Sequence, residues 1–179
     1  MNVIELLATL FSLSSVVASV KNSVLTWPLG IVGILFYMIH FNNLELTANT
    51  FLQLVFLIQS LYGWYKWKSS NNNITRLNRL QIIYTNLIFF TLSFGMIFLL
   101  RYFTNDKLII LDSITTSLSL VGIVLLAMKK IQCWYYWVLA DILYILLFLC
   151  NKDYLSMITY SVFLGLAITG LKQWKKYMT

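Results

Sequence analysis

The sequence predicts an all-α membrane protein with seven transmembrane helices, and three observations carry that reading. First, 60% of the 179 residues are hydrophobic, 16% are aromatic and only 11% are charged, against about 25% charged in a soluble domain. Second, charge-free stretches cover 6–20, 22–44, 46–65, 80–100, 113–128 and 154–171, with 131–151 interrupted only by Asp141. Seven spans of about 20 residues would take about 140 positions, leaving no room for a soluble domain. Third, the 13 Lys and Arg sit between the apolar runs. A net charge of +7 would suggest nucleic acid in a soluble chain, but here the bases read as topology signals and no nucleic-acid partner is expected. The runs lack the alternation of a membrane barrel.

The expected helix cores are 4–20, 24–41, 46–65, 80–100, 108–128, 133–150 and 154–172. The first ends in Val16-Val17-Ala18, which weakly resembles a signal-peptide cleavage site, yet Glu5 and the lack of a base before Lys21 oppose that reading. The second starts at Pro28, where a missing N–H costs little. Its Gly30 and Gly33 permit close packing, and His40 lies at its outer interface. On the third, Gln53, Ser60 and Trp64 lie within about 40° on a helical wheel, a polar stripe that lipid would not tolerate. The polar stretch 66–79 is read as a cytoplasmic linker whose bases meet anionic headgroups, so its Asn73-Ile74-Thr75 sequon lies on the wrong side for glycosylation. The fourth helix links two halves of the chain.

The sixth run carries the strongest pattern. Trp134, Trp137, Asp141 and Tyr144 are spaced i, i+3, i+7 and i+10, within an arc of about 80°. Asp141 falls near mid-membrane, where a charge costs on the order of 2.5–3.5 kcal/mol and needs a cavity or partner. Cys133 and Cys150 lie at opposite ends of this helix, about 26 Å apart by helical rise and too far for a mutual disulfide. Tyr160 on the seventh helix is a candidate to line a ligand path beside this stripe, with packing the equal alternative.

Seven spans place ten bases on one side, Lys21, Lys66, Lys68, Arg76, Arg79, Lys129, Lys130, Lys172, Lys175 and Lys176, with no acid. Arg101, Lys107 and Lys152 fall on the other with Glu5, Glu45, Asp106 and Asp153. The positive-inside rule then puts the N-terminus outside and the C-terminus in the cytoplasm.

Shifting the chain by 110 positions superposes Trp27 on Trp137, Leu29 on Leu139, Leu54 on Leu164, Leu61 on Leu171, Trp64 on Trp174 and Lys66 on Lys176. This predicts a single transmembrane domain over 1–179 in a 3+1+3 arrangement. Residues 4–65 and 108–176 are the three-helix repeats, and 66–107 holds linker, linker helix and outer loop. Repeats separated by one helix are parallel, as in SWEET transporters.

Aromatic faces around one carboxylate suit a flat, cationic small molecule, with Gln53 and Tyr144 bonding its polar edge. No phosphate-binding Gly-rich loop, metal-spaced cluster or Ser/His/Asp set is present, since His40 is the only His. The chain reads as a transporter and not an enzyme, without a cofactor. A non-transporting membrane scaffold and a proton-coupled symporter using Asp141 or His40 are the competing readings.

Leu52-Gln53 with Tyr62-Gly63-Trp64-Tyr65-x-Trp67, Trp27-Pro28-x-Gly30, and Trp134-x-x-Trp137-x-x-x-Asp141-x-x-Tyr144 together resemble the PnuC family of bacterial vitamin transporters, over residues 4–176. The resemblance implies the seven-helix 3+1+3 fold related to SWEET transporters, a homotrimer in the bacterial inner membrane, and facilitated diffusion of a vitamin precursor. The typical cargo is nicotinamide riboside, trapped by a cytoplasmic kinase that phosphorylates it. It also implies that Trp134 and Trp137 stack or gate around the ligand, Gln53 bonds it, and Trp64 and Tyr144 line the cavity. In the family pattern Asn stands at Asp141, Ser at Tyr144 and Asn at Ser60, so thiamine, another flat cation, is the alternative cargo, with flavins and nucleosides after it.

Overall fold

The computed structural model describes residues 3–43, 47–69, 73–103 and 108–178. Glu45, Asp106 and Lys107, used above for orientation, lie outside the described residues. Seven helices follow one another: α1 Val3–Val20, α2 Thr26–Asn43, α3 Thr47–Ser69, α4 Arg79–Phe103, α5 Ile109–Ala127, α6 Cys133–Cys150 and α7 Tyr154–Tyr177. Five of them, α1 and α4 to α7, are long and apolar enough to cross a membrane. The others, α2 and α3, were expected to span as well. Their mean hydropathy is pulled down by Trp27, Pro28, His40, Asn42 and Asn43 in α2 and by Gln53, Gln59 and Ser60 in α3.

Local chemistry sets the helix ends. The turns after α1, α5 and α6 each place one residue in the left-handed region, Asn22 (φ 52°), Lys129 (φ 49°) and Lys152 (φ 58°). Each is followed by a backbone N–H that reaches back five residues: Ser23 to Ala18 O, Lys130 to Leu125 O and Asp153 to Phe148 O, a helix-terminating motif that satisfies a carbonyl left bare. Asn tolerates that backbone conformation, whereas Lys pays about 1 kcal/mol or more for it. At the start of α4, Asn78 and Gln81 cap each other, Gln81 N–H donating to Asn78 Oδ1 (2.8 Å) and Asn78 N–H to Gln81 Oε1 (3.0 Å). Asp153 caps α7 by accepting from Ser156 N–H (3.1 Å).

Packing closes six helices into a ring: α1 on α2, α2 on α3, α3 on α5, α5 on α6, α6 on α7, and α7 back on α1. From outside the ring α4 packs against α5, and Tyr136 of α6 donates to Asn86 of α4 (2.9 Å). Most of α5 is buried while α4 is mostly exposed. The polar side chains of α5 are buried too, Ser113, Thr115, Thr116, Ser117 and Ser119 among them. Several return their hydroxyl protons to the helix itself, as Ser117 does to Ser113 O (2.7 Å) and Ser119 to Thr115 O (3.0 Å), which removes their donors from the desolvation penalty.

The linker is less free than its composition suggested. Three of its residues, 70–72, lie outside the described residues, but α3 runs on to Ser69 and the segment 73–78 folds back onto the turn between α5 and α6. There Ile74 and Leu77 enter the same apolar cluster as Val121, Leu125 and Ile131.

Candidate functional site

The apolar cluster sits at one end of the bundle, where α1, α3, α5 and α7 finish. Four indoles form its centre: Trp27 meets Trp67 edge-on (centroids 5.4 Å, 85°), Trp67 lies 6.3 Å from Trp174, and Trp174 meets Trp134 edge-on (5.4 Å, 88°). The rings of Trp27 and Trp134 press on Gly63 and Gly170, so close that a Cβ on either glycine would clash with the ring. Trp67 Nε1–H donates to Ala127 O (3.1 Å) and Leu126 O (3.3 Å), and Trp174 Nε1–H to Ser19 O (3.0 Å). The indole N–H groups of Trp27 and Trp134 are buried without a partner.

These contacts recur at a fixed spacing, since 27, 63, 67 and 19 are each 107 positions before 134, 170, 174 and 126. The left-handed residues Asn22 and Lys129 and the stacked pairs Tyr37–Phe41 and Tyr144–Phe148 obey the same offset. The 110-position overlay differs from this spacing by three positions: it pairs Trp27 with Trp137 and Trp64 with Trp174, where the recurring contacts pair Trp27 with Trp134 and Trp67 with Trp174.

Farther along the bundle the tyrosines gather. The rings of Tyr144 and Tyr160 are 4.4 Å apart, with Phe148 5.2 Å and Phe163 5.7 Å from Tyr160. The hydroxyl of Tyr144 points among Thr115, Thr116 and Ser119 of α5, and Tyr160 is within electrostatic reach of Tyr37, Asp112 and Asp141. On α1 and α2, Tyr37 and Thr9 share a hydrogen bond of 3.0 Å.

Asp141 lies between these two layers on α6. Its side chain is 4% exposed, and among the described residues it forms no hydrogen bond or ion pair. Desolvating a carboxylate without compensation is expensive. Trp137, half-buried one turn before it, lays its indole against Gly122 of α5, where a Cβ would stand 3.1 Å from the ring.

The expected site residues thus divide. Trp137, Asp141, Tyr144 and Tyr160 come together in the interior, with Trp134 beneath them in the indole cluster at 1% exposure. Ser60 is buried and Gln53 half-buried on α3. The structure does not bring Trp64 to this group: it is 37% exposed and lines a shallow outer cleft with Leu61, Tyr65 and Lys68. The inner face of that turn belongs to Gly63 and Trp67 instead. Sequence reasoning also missed Tyr37, Trp67, Trp174 and the α5 hydroxyls; the signal available for the tryptophans was the 107-position register. Outside the spans, the Lys129 ammonium sits 4.4 Å over the Trp67 ring, and burial pushes its pKa below the ordinary lysine range.

Comparison with known proteins places this arrangement. Residues 2–176 match the family model described as nicotinamide mononucleotide transporter. The chain is 20% identical over 201 aligned positions to the nicotinamide riboside transporter PnuC of Escherichia coli (strain K12), covering 96% of this chain and 84% of that protein. The protein of the same description from Shigella flexneri matches to the same extent. The crystal structure of the vitamin B3 transporter PnuC superposes with a TM-score of 0.80 at 18% identity, covering 97% of this chain and 81% of that one.

Proposed function

The chain belongs to the nicotinamide mononucleotide transporter family, and from that premise we propose that it is a uniporter for a flat, cationic vitamin precursor, nicotinamide riboside first. Asp141 carries this reading: it is buried, forms no hydrogen bond or ion pair among the described residues, and shares one helix face with Trp137 and Tyr144. A pyridinium held between indole and phenol faces would gain cation–π attraction, about 2 kcal/mol when desolvated. The carboxylate would meet its charge, and Gln53, Ser60 and the α5 hydroxyls would bond its polar edge. Trp134 would floor the site, and Tyr160 would line its approach.

The reading includes an architecture. All seven helices span the bacterial inner membrane with the N-terminus outside and the C-terminus in the cytoplasm. Helices α1–α3 and α5–α7 form parallel repeats about a two-fold axis through the indole cluster, and α4 is the linker helix of a SWEET-like 3+1+3 fold, with the repeats at 4–65 and 108–176. The exposed apolar face of α4 suits lipid or the other subunits of a homotrimer. Transport needs no ion or ATP, and a cytoplasmic kinase traps the product as its phosphate.

Thiamine is the second reading, favoured by the carboxylate itself, because Asp141 pairs with a thiazolium as readily as with a pyridinium. Titrating the purified protein with nicotinamide riboside, thiamine, riboflavin and deoxynucleosides while following tryptophan fluorescence separates these readings. Saturable quenching by nicotinamide riboside, lost in Trp137→Ala, is the expected result. Quenching by thiamine alone would reassign the cargo, and uptake into liposomes that stops when a pH gradient is collapsed would replace the uniporter with a symporter.

A further inference from the structure

The ring of six helices has two places where one half of the chain meets the other, α3 against α5 and α1 against α7. At the indole end, which the reading above places at the cytoplasm, each is closed by an equivalent bond, Trp67 to Leu126 O and Trp174 to Ser19 O. The two seams are not reinforced equally.

Beside α3/α5 the segment 73–78 forms a strap on the turn between α5 and α6. Thr75 N–H donates to Lys129 O and Ile131 N–H to Thr75 O, both at 3.0 Å, a short parallel bridge. Lys130 Nζ donates to Thr75 Oγ1 (2.9 Å) and Leu77 N–H to Gln132 Oε1 (3.1 Å), while Ile74 and Leu77 are buried against Ile131. Trp67 bonds a second carbonyl, Ala127 O, and carries the Lys129 ammonium on its face. Deeper in the same seam Gln59 Nε2 donates to Leu120 O (3.3 Å).

The turn between α1 and α2, equivalent to the turn that holds the strap, has no such cover among the described residues. Asn22 stands at the position of Lys129, and its Oδ1 is buried without a hydrogen-bond partner. Parting α3 from α5 would break both Trp67 bonds and the Gln59 bond and lift the Lys129 ammonium off the indole. Parting α1 from α7 breaks the Trp174 bond and leaves those contacts intact.

We propose that the inner mouth opens between α1 and α7, that the α3/α5 seam beside the strap stays closed as the hinge, and that cargo leaves past Trp174. This rests on the transporter reading and its orientation. Spin labels at Lys21 and Lys175 span the α1/α7 seam, and labels at Met128 and Lys68 are their equivalents across α3/α5, each 107 positions away from its counterpart. Distances are measured by electron–electron dipolar spectroscopy in nanodiscs without ligand, with Cys133 and Cys150 replaced by Ala. Trp174→Phe is expected to add a population lengthened by several ångströms in the Lys21/Lys175 pair, and Trp67→Phe is expected to leave the Met128/Lys68 pair unmoved. Lengthening of the Met128/Lys68 pair, or none at Lys21/Lys175 in Trp174→Phe, overturns the proposal. In a second arm, a Thr75→Cys/Lys130→Cys disulfide locks the strap, and nicotinamide riboside uptake by the oxidised protein is expected within twofold of the reduced. Loss of uptake on oxidation, restored by reductant, also overturns it. Absence of uptake in both redox states counts against the cargo assignment and leaves the distance result standing.

Discussion

In α1–α3, Trp27 lies on Gly63 beside Trp67; in α5–α7, Trp134 lies on Gly170 beside Trp174. Tyr37 stacks on Phe41 as Tyr144 stacks on Phe148. What differs is the chemistry set into that shared frame. Ile34 stands where the second half has Asp141, Gln53 where it has Tyr160, and Ser60 where it has Ala167. Gly30, packed on Ser15, corresponds to Trp137, packed on Gly122, so the large and small partners have changed places. Positions that agree hold the helices together, and positions that disagree cluster where the proposed ligand lies.

The comparison breaks first at its glycines. Gly63→Ala and Gly170→Ala each force an indole out of its slot, and each should lower stability by about 3 kcal/mol, read as thermal unfolding by circular dichroism in detergent. Equal losses fit equivalent roles, and a loss at only one glycine would end the equivalence. Asp141→Asn keeps the shape and removes the charge, so it should weaken binding of nicotinamide riboside by roughly 30-fold, about 2 kcal/mol, without lowering the melting temperature. Trp67→Phe and Trp174→Phe each remove an indole N–H bond, worth about 1 kcal/mol, on the same thermal assay. Smallest of all, Trp64→Ala should change both affinity and stability by less than about 0.5 kcal/mol, because the side chain lies on the outer surface.

How far the sequence carried is best judged at α3 and α6. On α6 the apolar run, the single Asp and the tryptophan spacing identify the helix and its inward face together, because a buried charge in a membrane has few permitted directions. On α3 the same wheel pointed to Trp64, and the inner residue is Trp67. Lys66 and Lys68 flank it, so the expected helix stopped at 65 and Trp67 fell into the linker. In the structure α3 continues to Ser69, and lysines on the outer faces of such a turn keep their charged heads in water while the indole packs inward. The strap was illegible for a related reason. A short bridge between 73–78 and the α5–α6 turn leaves no periodic pattern, and among Asn, Thr and Arg the two aliphatic residues that anchor it, Ile74 and Leu77, look incidental.

The proposed role of Asp141 is to select a positively charged ring. Isothermal titration with nicotinamide riboside and with its dihydro form, closely similar in size but uncharged at the ring, tests it most directly. The charged form should bind at least about a hundredfold more tightly, the carboxylate and the ring faces each contributing, and Asp141→Asn should cut that preference by at least about tenfold. Equal binding of both forms by the unaltered protein, or an undiminished preference in Asp141→Asn, would contradict it.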